Sequence, residues 1–208
     1  MQPGRFITLE GGEGAGKSTQ ARLLADALVA FGLPVLRTRE PGGAPGAEML
    51  RGLLLGGTVE WSTPAETLLH FAARAEHVEK TIRPALAVGM WVVCDRFTDS
   101  TMAYQGYGQG ADRAMIATLT ALVPLVPDVT LVLDVSEPVA MARQVRRGAD
   151  ADRYERLDAS FHARVNAGFH EIARQAPERC ILIAADAAEQ AVHAAIMAAL
   201  RDRLVLPA

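Results

Sequence analysis

The sequence predicts an α/β protein, a five-stranded parallel sheet flanked by helices on both faces. Two observations carry this. Five short apolar runs have the length of strands: "RFITLE" (5 to 10), "PVLRTR" (34 to 39), "MWVVCD" (90 to 95), "VTLVLDV" (129 to 135) and "CILIAA" (180 to 185). Longer stretches between them repeat apolar residues at helical spacing, so strands alternate with helices.

After the first run, "STQARLLADALVAFG" reads as a helix that stops at Gly32, a residue suited to a helix C-terminus. After the second, "PAETLLHFAARAEHVEKTIRPALAVG" reads as one long helix ending at Gly89. After the fourth, "SEPVAMARQVRRG" begins with Ser136 as a candidate N-cap. The last third is rich in Ala, a helix-forming composition. With 208 residues, half of them hydrophobic, and no repeat or linker, residues 1–208 form one domain.

The formal net charge is -3, which excludes bulk electrostatic binding to nucleic acid or to anionic membrane. Any anion site must be local. Nineteen of the 21 basic residues are Arg, and the only lysines are Lys17 and Lys80. Cys94 and Cys180 both adjoin apolar β-branched runs and read as small buried hydrophobes. The absence of a disulfide framework suits a reducing cytosol. No run approaches the roughly 18 apolar residues of a membrane span, and the N-terminus has no signal-peptide pattern, so a soluble cytoplasmic protein is expected.

In such sheets ligands bind at the carboxyl ends of the strands. The first of these ends carries the strongest signal, Gly11-x-x-x-x-Gly16-Lys17-Ser18, in the strand-then-helix context that the P-loop requires. Residues Gly11, Gly12, Glu13, Gly14, Ala15, Gly16 and Thr19 would wrap phosphates with backbone N–H groups at the start of a helix. Lys17 would reach the terminal phosphates, and the Ser18 hydroxyl would ligate Mg²⁺. The chain thus binds a nucleoside triphosphate on a P-loop NTPase fold. Switch GTPases are excluded, because their Asn-Lys-x-Asp base reader is missing: the only asparagine, Asn166, precedes alanine. A regulatory ATPase and a kinase of small acceptors remain.

A kinase needs further anion and acceptor contacts, and five segments offer them. "TREPGG" places Arg39 at a strand end, though an ordinary strand exit looks the same. "CDRF" places Asp95, which could hold Mg²⁺, beside Arg96, which could grip an acceptor phosphate bidentately. "ETLLHFAARAEH" puts Phe71 and Arg74 on one helix face, a ring and a guanidinium suited to a flat base, or simply an amphipathic core helix. "DSTMAYQGYGQG" offers Thr101, Tyr104 and Gln105 on what its glycines suggest is a mobile loop. "ARQVRRGADADRYE" groups Arg143, Arg146 and Arg147 on one helix face with Arg153 beyond, either a solvated face or a mobile lid over about 143–155. Phosphoryl transfer spreads charge over equatorial oxygens, and Gly14 gives the P-loop no arginine of its own, so a lid would have to supply one.

The order and spacing of "EGGEGAGKST", "TREPGG", "HFAAR", "DRFTDST" with "AYQG", and "DRYE" resemble the thymidylate kinase family over nearly the whole chain. The resemblance implies transfer of the γ-phosphoryl of ATP to dTMP, with Mg²⁺, in a homodimer. It implies that Lys17 and Ser18 contact phosphate and metal, Glu13 the acceptor's 3'-hydroxyl, Arg96 its phosphate, and Arg74 its base. Tyr104 and Gln105 would meet sugar and base, and either His70 or Phe71 would cover thymine. Arg143, Arg147 and Arg153 would serve the donor and the moving phosphoryl as a basic lid. Gln109 stands where that family usually has Arg.

Overall fold

The computed structural model describes residues 4–57, 59–148, 153–204 and 206. Its strands are β1 (Phe6–Glu10), β2 (Val35–Arg39), β3 (Trp91–Asp95), β4 (Val129–Asp134) and β5 (Cys180–Ala184). They pair in the order β2-β3-β1-β4-β5, and every pairing is parallel. Strand alternation splits β1 between two cores. Ile7 and Leu9 join Leu24, Leu28, Ile196 and Leu200 of the helices α1 (Lys17–Ala30) and α9 (Glu189–Arg203). Phe6 faces the other side, with Val78, Ile82 and Phe97. Both faces being covered explains why the central strands β1, β3 and β4 are mostly apolar and buried, whereas the edge strand β2 carries Arg37 and Arg39 exposed. All five carboxyl ends lie at one edge of the sheet, and β1 is central there, which sets the P-loop in the middle.

Helix α1 stops at Ala30, and Gly32 follows with φ 78°, as the sequence leads one to expect. The long helix ending near Gly89 is in fact three pieces: α3 (Thr63–His77), a π-helical segment Val78–Ile82, and α4 (Arg83–Ala87), with Pro84 at the start of α4. Pro84 lacks the N–H that an uninterrupted α-helix would use, and the local widening accommodates it. Ser136 occupies the N-cap position of α7 (Glu137–Arg147), yet its hydroxyl makes no cap bond; its N–H donates to Asp186 at 2.7 Å instead. Helix α2 (Pro45–Leu55), which follows "TREPGG", is not evident in the sequence.

The expected mobile loop "DSTMAYQGYGQG" is a correction: it forms α5 (Thr98–Thr101) and a π-helical segment Met102–Gly108, both largely buried. Its glycines serve close packing. A Cβ on Gly108 would fall 2.5 Å from the Phe161 ring of α8 (Ala159–Gln175). Helix α6 (Arg113–Leu122) completes the fold. Cys94 and Cys180 are both free and buried. Among the described residues no helix is long and apolar enough to cross a membrane.

Candidate active site

A cavity of about 810 Å³ opens along the carboxyl edge of the sheet, and Glu13 to Thr19 form one wall of it. Gly11 and Gly12 stand behind that wall, where their carbonyls hold neighbours: Gly11 accepts from Arg96 at 3.2 Å and Gly12 from the Lys17 ammonium at 2.6 Å. The turn into α1 passes through Gly16 at φ 89°. Burial, and then the Arg96 guanidinium nearby, push Lys17 down to about 8. The ammonium thus keeps its proton up to about pH 8.

Ser18 donates to the Asp95 carboxylate at 2.5 Å. These two oxygens, one hydroxyl and one carboxylate, are donors of the hard type that Mg²⁺ takes when substrate phosphates complete its shell. No cluster of three His, Cys, Asp or Glu side chains suited to a metal occurs among the described residues, so the protein's share of any such site is small. The residues present fit the ion.

Arg96 follows Asp95 at the sheet edge and has φ 70°, the only non-glycine residue with positive φ among those described. A left-handed conformation at such a residue costs about 1–3 kcal/mol and persists where surroundings over-determine it. Here its N–H donates to Leu9 at 2.9 Å, and its guanidinium donates to Gly11, Ser100, Glu13 and Tyr104. Burial alone would weaken its charge, but Glu13, Tyr104 and Asp95 hold it firmly protonated. Beneath it Glu10 is fully buried and accepts from the Phe97 and Ser100 N–H groups and from the Ser100 hydroxyl, at 2.7, 3.3 and 2.5 Å. Burial, reinforced by Asp99, pushes the Glu10 carboxyl up to about 8.

Glu13, an acid within an anion-binding loop, is answered by two donors: Arg96 at 2.7 Å and the Tyr104 hydroxyl at 2.7 Å. Its charge faces a cation and a phenol at the edge of the loop. On the other flank α7 closes against the P-loop. Arg143 donates to the Ala185 and Ala187 carbonyls at 2.8 and 3.0 Å and reaches Gly14 at 3.5 Å. Arg146 also lines the cavity. The Arg147 side chain lies outside the described residues, as do positions 149–152 of the expected lid.

At the far end of the cavity Arg74 is buried on α3. Its Nε donates to Glu40 at 2.8 Å and one terminal nitrogen donates to Phe97 and Thr101 at 2.9 and 3.0 Å. The other, Nη1, has no hydrogen-bond partner among the described residues. His77 and Thr38 continue the chain behind Glu40, at 3.0 and 2.7 Å. Of the two candidate stacking rings, His70 lines the cavity whereas Phe71 does not; Phe71 instead lies under the Arg74 guanidinium, 4.8 Å from ring centre to carbon. Burial, then Arg74, push His70 down to about 3, so it is a neutral ring. Thr101, Tyr104 and Gln105 all line the cavity. Arg39 reaches its rim but is half exposed, and it donates to the Glu48 carboxylate at 3.0 and 3.1 Å. Arg153 is not among the cavity-lining residues; it pairs with buried Glu66 at 2.6 Å.

Several contributors escaped sequence reasoning. Arg51 comes from the unanticipated α2 and lines the cavity. Glu10, Glu40 and Glu66 are buried acids that hold Arg96, Arg74 and Arg153 or their surroundings in place. Glu66 had a visible signal, since Glu66, His70 and Arg74 recur every four residues on one face of α3.

A P-loop, the hydrogen-bonded Arg96, and the polar side chains of Arg74, His70, Thr101 and Gln105 face one cavity, the arrangement expected of a nucleoside monophosphate kinase. The family model described as thymidylate kinase matches residues 9–196. A thymidylate kinase of Gluconobacter oxydans is 54% identical over 207 residues, covering 98% of this chain and 97% of that protein. One of Chromohalobacter salexigens is 53% identical, covering 98% of each. The crystal structure of thymidylate kinase from Ehrlichia chaffeensis superposes with a TM-score of 0.80 at 39% identity, over 96% of this chain and 99% of that one. The chain belongs to the thymidylate kinase family.

Proposed function

We propose that this chain transfers the γ-phosphoryl of ATP to dTMP, giving dTDP and ADP, with the residue roles that follow. One observation carries the reading: Arg96 and Glu13, joined at 2.7 Å, stand on the cavity side of the P-loop as a preset acceptor site that simple ATP hydrolysis does not require. The triphosphate lies along Gly14 to Thr19, with Lys17 charged on its terminal oxygens. Mg²⁺ held by Ser18 and Asp95, when bound, neutralises phosphate charge. Arg96 meets the acceptor phosphate, and its four hydrogen bonds mean that little reorganisation is left for the moment of transfer. Glu13 takes the 3'-hydroxyl of the sugar, and Tyr104 crowds the position of a ribose 2'-hydroxyl. Arg74 donates its free Nη1 to a base carbonyl, and His70 rather than Phe71 covers the base. Catalysis is mainly positioning and electrostatics. Arg143, Arg146 and Arg147 bring positive charge over the donor. A cytoplasmic homodimer is part of the reading, supported by apolar Met49, Leu53 and Leu68 left exposed on α2 and α3 and by two reduced, buried cysteines.

The test is purified protein with Mg-ATP and a panel of dTMP, dUMP, dCMP, AMP, GMP and thymidine. dTMP should give the highest kcat/KM, and light scattering on the same sample should return twice the chain mass. Preference for AMP, GMP or thymidine, or ATP hydrolysis without transfer, would sink the reading.

A further inference from the structure

Glu66 is wholly buried on α3, lines no part of the cavity, and yet gathers four side chains, of which Gln105 and Tyr154 line the cavity. Its Oε1 accepts from Gln105 at 2.9 Å, Gln109 at 2.7 Å and the Tyr154 hydroxyl at 2.8 Å. Its Oε2 faces Arg153 at 2.6 Å. Burial pushes this carboxyl up, but the hydrogen bonds from Gln105, Tyr154 and Gln109, with Arg153 beside them, outweigh it and hold Glu66 below the ordinary range. An ionised carboxylate only accepts, so each neighbour must turn a hydrogen toward it.

That requirement propagates. Gln105 must point its amide nitrogen inward, to Glu66 and, at 3.1 Å, to the Tyr154 oxygen. Its Oε1 makes no hydrogen bond among the described residues, on a residue that lines the cavity. Tyr154 has one proton, which goes to Glu66, so it accepts from Gln105 and also from His70 at 2.9 Å. His70 therefore carries its proton on Nε2. The cavity lining thus offers an acceptor, Gln105 Oε1, and a donor, Arg74 Nη1, on two of its residues. Thymine and uracil present an N3–H flanked by carbonyls; cytosine presents a bare N3 beside an amino group, the opposite polarity.

We propose that Glu66 is a positioning residue that fixes the hydrogen-bond polarity of the base pocket, selecting an imide base over cytosine. Arg153 and Tyr154, from the segment beyond α7, make that polarity depend on this segment being docked. The inference rests on the reading of Gln105 and Arg74 as base contacts. It also gives Arg153 a role remote from the phosphates.

The test compares kcat/KM for dTMP, dUMP and dCMP in the unaltered protein and in Glu66→Gln. The substituted amide has nearly the same shape but can donate as well as accept, so nothing obliges Gln105 to keep its oxygen toward the base. The dTMP-to-dCMP ratio should fall about tenfold, corresponding to roughly 1.4 kcal/mol, through a raised KM for dTMP. The dTMP-to-dUMP ratio should stay constant. Tyr154→Phe, which keeps the carboxylate, should shift the first ratio in the same direction by less and covers the case in which Glu66→Gln fails to fold. A merely structural role would lower kcat for both acceptors and the thermal midpoint while leaving the ratio unchanged, and that result overturns the proposal while the activity stands. Failure of the unaltered protein to use dTMP removes both.

Discussion

Lys17 is held near pKa 8 by burial and by Arg96, so bound triphosphate must raise that value when it settles against the ammonium. Below pH 8 the free protein already carries the proton and ATP affinity is insensitive to pH. Above it, binding must first take up a proton, and affinity should fall by up to about tenfold per pH unit until the pKa of the complex is reached. Calorimetric titration between pH 7 and 9.5, in two buffers of different ionisation enthalpy, measures both affinity and proton uptake. Flat affinity with no uptake would show that Lys17 is charged throughout. The sequence made Lys17 and Ser18 conspicuous because their spacing is dictated by phosphate geometry. The spacing of Glu66 with His70 and Arg74 was visible, but its role was not, because a buried acid at helical spacing looks the same as a solvated one until its partners, Gln105 and Tyr154, arrive from distant segments.

Helix α7 and the P-loop share one space. A Cβ on Gly14, where φ is 72°, would lie 2.5 Å from the Ala140 carbonyl oxygen of α7. No side chain fits there while α7 is in place, so the loop cannot carry its own arginine and the cations must come from α7 itself. Gly14→Ala should force α7 outward, weaken the Arg143 bonds to Ala185 and Ala187, and lower kcat by tenfold or more with little change in KM for dTMP. Steady-state kinetics decides this, and unchanged kcat would mean that α7 does not bear on the donor. Helices posed the harder reading problem. The glycines of the segment 99–110 resemble those of a loop, but Gly108 is there because the Phe161 ring of α8 comes too close for a Cβ. Local composition cannot separate glycine needed for motion from glycine needed for contact.

The sheet was legible as a whole because its central strands β1, β3 and β4 are buried on both faces and stand out as short apolar runs between amphipathic stretches, while the edge strands β2 and β5 stay partly exposed. Its buried charge was not. Glu10, carrying its proton up to about pH 8 when folded against an ordinary value of 4.5, binds a proton that the unfolded chain has already lost across that window. Native stability should therefore decline as pH rises from 4.5 to 8 and level off above it. Glu10→Gln should flatten this slope, since its oxygen can keep the Phe97 and Ser100 N–H groups while its amide donates to the Ser100 hydroxyl. Chemical denaturation at several pH values tests it, and an unaltered slope would place the titration elsewhere. Lys17 acts in the opposite sense and only above pH 8, which keeps the two contributions separable.

The two ends of the cavity differ in a way that matters to fidelity. Lys17, near pKa 8, lies on the P-loop side and Glu10, also near 8, is buried beneath Arg96, whereas His70, pushed down to about 3, is a neutral ring on the cavity wall. On the proposed roles, a drift toward alkaline conditions should weaken ATP binding at Lys17 while leaving His70 neutral. Throughput should then vary with the acidity of the surroundings while the rate of error per product made holds, which the dTMP-to-dCMP ratio measured at pH 7 and at pH 9 checks.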